Sequence, residues 1–251
     1  MSHERGLIAR QAGTVLVGQV AVVAFGVIDT MVAGRHSEAA LAALSVGSAV
    51  YITVFVMLMG LQQALLPMLS ELHGANQPGE VGRQFRQSLY LWALNSAVGM
   101  IALLYPDPLL TWTEVPDALQ PAVRGYLRVL AWSLPPALLF RLFSTLNQSL
   151  GRPKAVTWIQ VIALVLKVPL SFWLALGAGD WAGWGLEGCA YATLTVNIAM
   201  IVLGTYVLRQ RSFYQRYQLW HRLEAPDVKV LGQLARLGIP NALSVLSLIH
   251  I

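Results

Sequence analysis

The feature that most constrains this chain is a succession of apolar stretches, each about as long as a bilayer is thick. A helix crossing the hydrocarbon core needs about 20 largely apolar residues. Six stretches meet that length: Ala12–Ala33, Leu41–Leu69, Leu89–Trp112, Tyr126–Leu150, Val156–Leu176 and Leu186–Leu208. A seventh opens near Leu231 and is still apolar at Ile251. Clusters of Pro, Gly and charge separate them: GRHSEA, HGANQPGEVGRQFR, EVPDALQP, GRPK, GAGDWAGWG and RQRSFYQRYQLWHRLEAPDVK. Membrane-spanning strands would instead show segments of about 10 residues with alternating polarity. Composition agrees, since charged residues are 12 % of the chain, about half the roughly 25 % of a soluble domain. So few charges cannot clothe a soluble surface of this size. A disordered chain, a basic nucleic-acid-binding domain and an ordinary soluble enzyme are excluded. The expected fold class is an all-α polytopic membrane protein, a six-helix transmembrane bundle followed by the start of a seventh helix.

Basic residues gather in the loops that stay on the cytoplasmic side. With the N-terminus inside, twelve of the 17 Lys and Arg fall in inside segments: Arg5, Arg10, Arg83, Arg86, Arg152, Lys154, Arg209, Arg211, Arg216, Arg222, Lys229 and Arg236. Only Arg35, Arg124 and Arg128 fall outside, beside the acids Glu38, Glu114, Asp117 and Asp180. Arg141 and Lys167 are left within spans. The expected placement is therefore a multi-pass protein with its N-terminus in the cytoplasm. The N-terminal segment MSHERGLIARQ is too polar, and the run after it too long, for a cleaved signal peptide.

Three regions follow. Residues 1–208 form a six-helix lobe, 209–231 a basic cytoplasmic linker, and 232–251 the start of a second lobe. In the linker, Tyr214, Tyr217 and Trp220 suit a stretch lying in the headgroup layer. An internal echo supports a repeat: ARQAGTVLVG at the first span aligns with ARLGIPNALS at the seventh, Arg10 with Arg236. Six spans separate the copies, so the two lobes would be parallel repeats about an axis along the membrane normal.

No catalytic set appears. The five His are scattered over loops and termini, and HExxH, GxSxG and both phosphate-loop patterns are absent. Cys189 is the only cysteine, which leaves no disulfide framework and no cysteine zinc site. The expectation is a non-enzyme with no cofactor, no metal and no nucleic-acid partner.

Several stretches are similar to the MATE (multidrug and toxic compound extrusion) transporters. GVIDTMVAGRHSEAALAALSVGSAV resembles that family's first-span signature, with its Asp-Thr, Ala-Gly and Leu-Ala-Ala. GLQQALLPMLSELHGANQPGEVGRQFRQ resembles the second span and its basic loop. NQSLGRPKAV, GWGLEGCAYAT and LARLGIPNAL resemble the fourth-to-fifth connection, the entry to the sixth span and the opening of the second lobe. The resemblance implies an inner-membrane antiporter of twelve spans in two lobes around a central cavity. Entry of H+, or of Na+, would drive export of drugs or organic cations by alternating access. Partners would be small cationic or amphipathic substrates and membrane lipid, and this chain would hold one lobe and the start of the other. The closing LSLIHI resembles translated adapter read-through, so His250 is given no role.

Asp29 is the only acid well inside the first span. A bare carboxylate in hydrocarbon is expensive, so it must face a cavity or a partner. Its place also matches the family's cation-binding Asp. Lys167 lies mid-span in AVTWIQVIALVLKVPLSFWLALG and needs an anion or a water path. Counting along both spans puts Asp29 about 25 Å and Lys167 about 16 Å from the inner end at 1.5 Å per residue. The long lysine side chain closes much of that difference, so the two are expected partners in ion or proton coupling. The family commonly carries Asn at this position, and Ser171 replaces a second polar residue one turn on. A fixed ammonium disfavours Na+ at Asp29, so H+ is the expected coupling ion. Thr14 replaces a proline frequent in the family's first span. Gln19, Thr193 and Asn197 join Thr14 and Ser171 as cavity-lining candidates. Gln19, Thr193, Thr195 and Asn197 equally suit interhelical hydrogen bonding, and Arg141 is given a structural role, by snorkelling or pairing with Glu71. The competing readings are a lipid-linked oligosaccharide flippase of the wider superfamily and a non-transporting membrane module.

Overall fold

A computed structural model describes residues 2–112, 115–178, 180–210, 212–228, 230–234, 236–238 and 240, with the side chains of residues 2–11 and 112 left aside. The chain folds into helices α1 (Ser2–His36), α2 (Glu38–Gln63), α3 (Leu65–Gly74), α4 (Pro78–Leu104), α5 (Asp107–Trp112), α6 (Gln120–Ser149), α7 (Pro153–Leu176) and α8 (Gly185–Gln210), followed by a 3-10 turn, Ser212–Tyr217. An isolated bridge between Ala178 and Trp181 is the only β pairing among the described residues. Six helical stretches are long and apolar enough to cross a membrane, α2 and α3 together forming one of 37 residues.

Local chemistry explains the helix limits. Ser37 caps α2, its hydroxyl accepting from the Ala40 amide at 3.0 Å, with Glu38 in the first turn. Pro78, Pro121 and Pro153 occupy the first turns of α4, α6 and α7, where a missing N–H costs nothing. Gly177 ends α7 with φ +80°, and a Cβ there would lie 1.9 Å from the Trp181 carbonyl oxygen, so only glycine fits.

The third span departs from the expected Leu89–Trp112. Its helix starts at Pro78 and stops at Leu104, and Pro106 separates α5 from it. The reason is that the first turns of α4 are polar. Hydropathy finds only the part of a helix that lipid touches.

α6 runs through the middle of the lobe, 72 % buried across its most apolar window against 22–33 % for the other five spans. Two apolar clusters flank it. One joins Leu44, Leu58, Leu103, Leu110, Leu127 and Leu138. The other joins Leu65, Leu69, Phe85, Phe143, Tyr214 and Tyr217 at the end where α3 meets α4 and α6 meets α7, called here the basic end. Apolar side chains such as Leu16, Val23, Val165 and Val202 cover the outside of the bundle, as lipid contact requires of a spanning helix.

Of Tyr214, Tyr217 and Trp220 in the linker, two face the protein rather than a lipid surface. Tyr214 and Tyr217 are buried in the core, and the Tyr214 hydroxyl donates to Asn147 Oδ1 at 2.6 Å. Trp220 alone of the three stays exposed, with the Arg209 guanidinium 4.6 Å above its ring. The segment is fastened to α4. Arg86, itself buried, donates to the Gln218 carbonyl at 2.7 Å and to Glu224 at 2.5 Å. Arg83 meets Asp227 at 3.0 Å, Gln87 bonds the Ala225 carbonyl and the Asp227 amide, and Tyr90 donates to the Glu224 carbonyl. Gly82 lets this strap approach, because a Cβ there would lie 1.7 Å from the Tyr217 carbonyl oxygen. Aromatic burial and charge pairing hold the strap along the polar turns of α4. Beyond it, Gly238 packs against the Leu61 backbone. Residues 246–251, and most of the second copy of the ten-residue echo, lie outside the described residues.

Candidate functional site

The site grows from the packing of α1 against α7. Both helices leave the basic end, so they run parallel. Their register is pinned where the Thr157 hydroxyl donates to the Thr14 carbonyl at 2.8 Å. From that point Asp29 lies 15 residues along α1 and Ser171 lies 14 along α7, nearly level at 1.5 Å per residue. Lys167 is one turn behind Ser171 and must reach forward. Gly18 allows the contact, since a Cβ there would lie 2.3 Å from Gln160 Oε1 on α7. Gly13 and Gly26 have nothing within 4 Å of such a Cβ among the described residues.

The Lys167 ammonium lies 2.9 Å from Asp29 Oδ1 and donates to Oδ2 at 3.0 Å. It also donates to the Thr193 hydroxyl on α8 at 2.7 Å, which in turn donates to the Cys189 carbonyl at 3.0 Å. Ser171 Oγ donates to Asp29 Oδ1 at 3.3 Å. The Phe25 ring closes the remaining side, 5.8 Å from the ammonium. Lys167 is 0 % exposed and the Asp29 side chain 10 %, which excludes a lysine at the lipid edge and leaves the carboxylate a narrow access. A charge in such a place needs both a countercharge and hydrogen bonds, and here it has both.

The structure thus brings Asp29, Lys167, Ser171 and Thr193 together. Asn197, one turn from Thr193 on α8, is buried and donates to Ser133 Oγ of α6 at 2.7 Å, extending the polar track by one helix. Thr14 and Gln19 are not part of it. Gln19 is exposed, ten residues or about 15 Å of helix from Asp29, beside a narrow crevice with Ser144, Gln148 and Gln160. Thr14 borders a separate cavity at the basic end. Thr195 is exposed and bonds only the Tyr191 carbonyl of its own helix among the described residues. Arg141 makes no ion pair with Glu71 among the described residues, and its Nε has no hydrogen-bond partner among them.

Ser133 and Phe25 are the members that sequence reasoning did not single out. A signal existed for Phe25. The inward positions of α1 (Gly18, Ala21, Phe25, Asp29, Val32) recur at intervals of three and four, the spacing of one helix face. The inward positions of α7 (Val156, Ile159, Ala163, Lys167, Ser171, Leu174) do the same and place Lys167 on the buried stripe. Ser133 gives no such signal, because almost every face of α6 is buried.

Chemically, the arrangement sets one carboxylate, Asp29, against one amine, Lys167, inside the lobe. No group of three or more His, Cys, Asp or Glu able to hold a metal occurs among the described residues. Pro169, between Lys167 and Ser171, removes a backbone donor from α7 next to the pair.

The family model MatE matches residues 15–173. A probable multidrug resistance protein NorM of Aromatoleum aromaticum is 33 % identical over 239 residues, covering 95 % of this chain and 52 % of the relative. The multidrug resistance protein MdtK of Pectobacterium atrosepticum is 29 % identical, covering 92 % of this chain and 51 % of the relative. The chain therefore spans about half the length of the curated relatives it matches. The crystal structure of the eukaryotic MATE transporter AtDTX14 matches in fold, with a TM-score of 0.85 at 17 % identity over 96 % of this chain and 52 % of that one.

Proposed function

The chain belongs to the MatE family, and on that premise we propose that it is the N-terminal lobe of a proton-coupled exporter of drugs or organic cations. The buried Asp29–Lys167 pair carries the reading. A second lobe facing this one would complete a central cavity, in a cytoplasmic or inner membrane with the basic end in the cytoplasm, where basic loops concentrate. The relatives' names, multidrug resistance proteins NorM and MdtK, support the substrate class.

The proposed cycle follows from the pair's chemistry. A proton entering through the narrow opening at Asp29 bonds to one carboxylate oxygen and discharges the ion pair. Lys167 keeps its bond to Thr193, so α7 and α8 stay joined while α1 loses its charged attachment. The lobe then rearranges, and release of the proton on the other side restores the pair. α1 runs as an uninterrupted helix with Thr14 in place of a proline, whereas α7 carries Pro169 next to the pair. Bending is therefore assigned to α7. Na+ is disfavoured, because it would have to displace an ammonium already 2.9 and 3.0 Å from both carboxylate oxygens.

The test is uptake of a fluorescent organic cation into inverted vesicles by a twelve-span transporter carrying this lobe, energised by a proton gradient. Asp29→Asn should abolish gradient-driven transport, and Lys167→Met should flatten its pH dependence. Uptake that persists after a protonophore and follows a Na+ gradient would refute proton coupling. A wild-type pH profile in Lys167→Met would refute the countercharge.

A further inference from the structure

At the basic end, away from the ion pair, a cavity of about 780 Å³ opens between α7 and α8. That lies within the range of about 300–1,000 Å³ usual for small-molecule sites. Its walls change character along the bundle. Gly151, Arg152 and Lys154, at the connection into α7, form one end. Ile159, Ile162 and Leu203 form the other. From Pro153 to Ile162 the wall runs about 14 Å along the helix, so the cavity passes from charged to fully apolar over roughly half the thickness of a hydrocarbon core. Trp158 and Tyr206 flank the opening, 68 % and 61 % exposed, where amphipathic rings mark the membrane boundary.

We propose that this cavity is a binding site for an anionic phospholipid, its phosphate held by Arg152 and Lys154 and an acyl chain laid between α7 and α8. None of the thirteen lining residues is acidic. An organic cation would meet two positive charges there and no acidic lining residue among the described residues, so the cavity does not suit exported cations. Arg152 is already oriented, its guanidinium carbon 3.6 Å from the centre of the Phe213 ring of the strap. Stacking on a ring occupies the flat face of the guanidinium and leaves its edge N–H groups free to donate to phosphate. The first turn of α7 adds the positive end of a 24-residue helix beside them. The amphipathic gradient separates a lipid from a free phosphate, because only a molecule with a tail fills the apolar half. Tyr214 lines the same cavity, so lipid, strap and α7 form one assembly at the basic end. This inference stands apart from the coupling reading and uses none of its residues beyond Thr14, which borders the cavity.

The experiment is native mass spectrometry of the purified, delipidated chain, titrated with phosphatidylglycerol or phosphatidylethanolamine. One phosphatidylglycerol should bind with a preference of at least about fivefold over phosphatidylethanolamine, the factor expected from a single basic group at a membrane surface. Arg152→Gln with Lys154→Gln should erase the preference. Ile162→Trp, which fills the apolar half and keeps both charges, should weaken phosphatidylglycerol binding by a similar factor. Brominated phosphatidylglycerol should quench tryptophan fluorescence more than brominated phosphatidylethanolamine, and Trp158→Phe should remove that excess. The quenching arm decides the matter if the charge variants do not fold. Equal binding of the two lipids, or an undiminished preference in the folded charge variant, overturns the site. Displacement by glycerol phosphate at equal concentration would assign the cavity to a free anion and overturn the lipid.

Discussion

Replacing Lys167 by Met removes the ammonium and keeps most of the side chain's volume, so the change isolates the charge. At 2.9 Å and an effective dielectric constant of about 20, the attraction in the pair is about 6 kcal/mol. Withdrawing two charges from water costs several kcal/mol for each, so the pair as a whole contributes little net stability. Breaking it is another matter. Lys167→Met leaves Asp29 buried with no countercharge and only hydroxyl donors, Ser171 at 3.3 Å and Thr193, and the penalty for such an orphaned charge is about 3–5 kcal/mol. Asp29→Asn should cost less, since the amide keeps a hydrogen-bonding oxygen for Lys167. The double variant Asp29→Asn with Lys167→Met should recover most of the loss. At about 2–4 °C per kcal/mol for a chain of this size, Lys167→Met should melt about 6–20 °C below wild type. The assay is thermal unfolding of the detergent-solubilised chain, with all three variants arranged as a double-mutant cycle. Additive losses, or a Lys167→Met protein that melts within about 2 °C of wild type, would show that the two charges do not stabilise each other. The reasoning would then fail.

Two further outcomes concern the strap and the polar track. Arg86→Met should cost about 1.5–3 kcal/mol through its lost charged hydrogen bonds, and hydrogen exchange at Gln218 and Asp227 should accelerate while α6 stays protected. Asn197→Ala and Ser133→Ala should each cost about 0.6 kcal/mol, the average for interhelical hydrogen bonds in membranes, and together little more than either alone. A melting-temperature cycle reads this, and full additivity would mean the 2.7 Å bond contributes nothing.

Much of the architecture was legible without coordinates. The number of spans follows from apolar run length, because lipid burial is a property each segment carries alone. Helix starts at Pro78 and Pro153 were less visible, since polar first turns look like loop to any measure of hydropathy. It left the depth estimate for the charged pair almost unchanged. Counted from Val156, Lys167 sits about 16 Å along its span, against about 25 Å for Asp29. Counted from the Thr14–Thr157 contact, Lys167 lies ten residues along and Asp29 fifteen, a difference of about 8 Å that the lysine side chain closes by reaching forward. The pairing of Asp29 and Lys167 was thus expected for a sound reason, that neither charge survives alone in hydrocarbon, and from a depth count close to the register that the helices adopt. Thr14 and Gln19 show the limit of that logic. They are polar and within the same span as Asp29, yet each faces elsewhere.

The sequence alone pointed to helices long and apolar enough to cross a membrane, to the six of them found among the described residues, and to Asp29 and Lys167 as charges that need partners. These are costs of transfer from water, and each is set by the local residues. Only the tertiary structure decided that Thr193 and Ser171 complete the pair, that Asn197 answers to Ser133, and that the linker is strapped to α4 with its tyrosines buried. Those outcomes depend on the rotation and register of one helix against another. A single contact such as Thr157 to the Thr14 carbonyl fixes that register, and no segment contains it by itself.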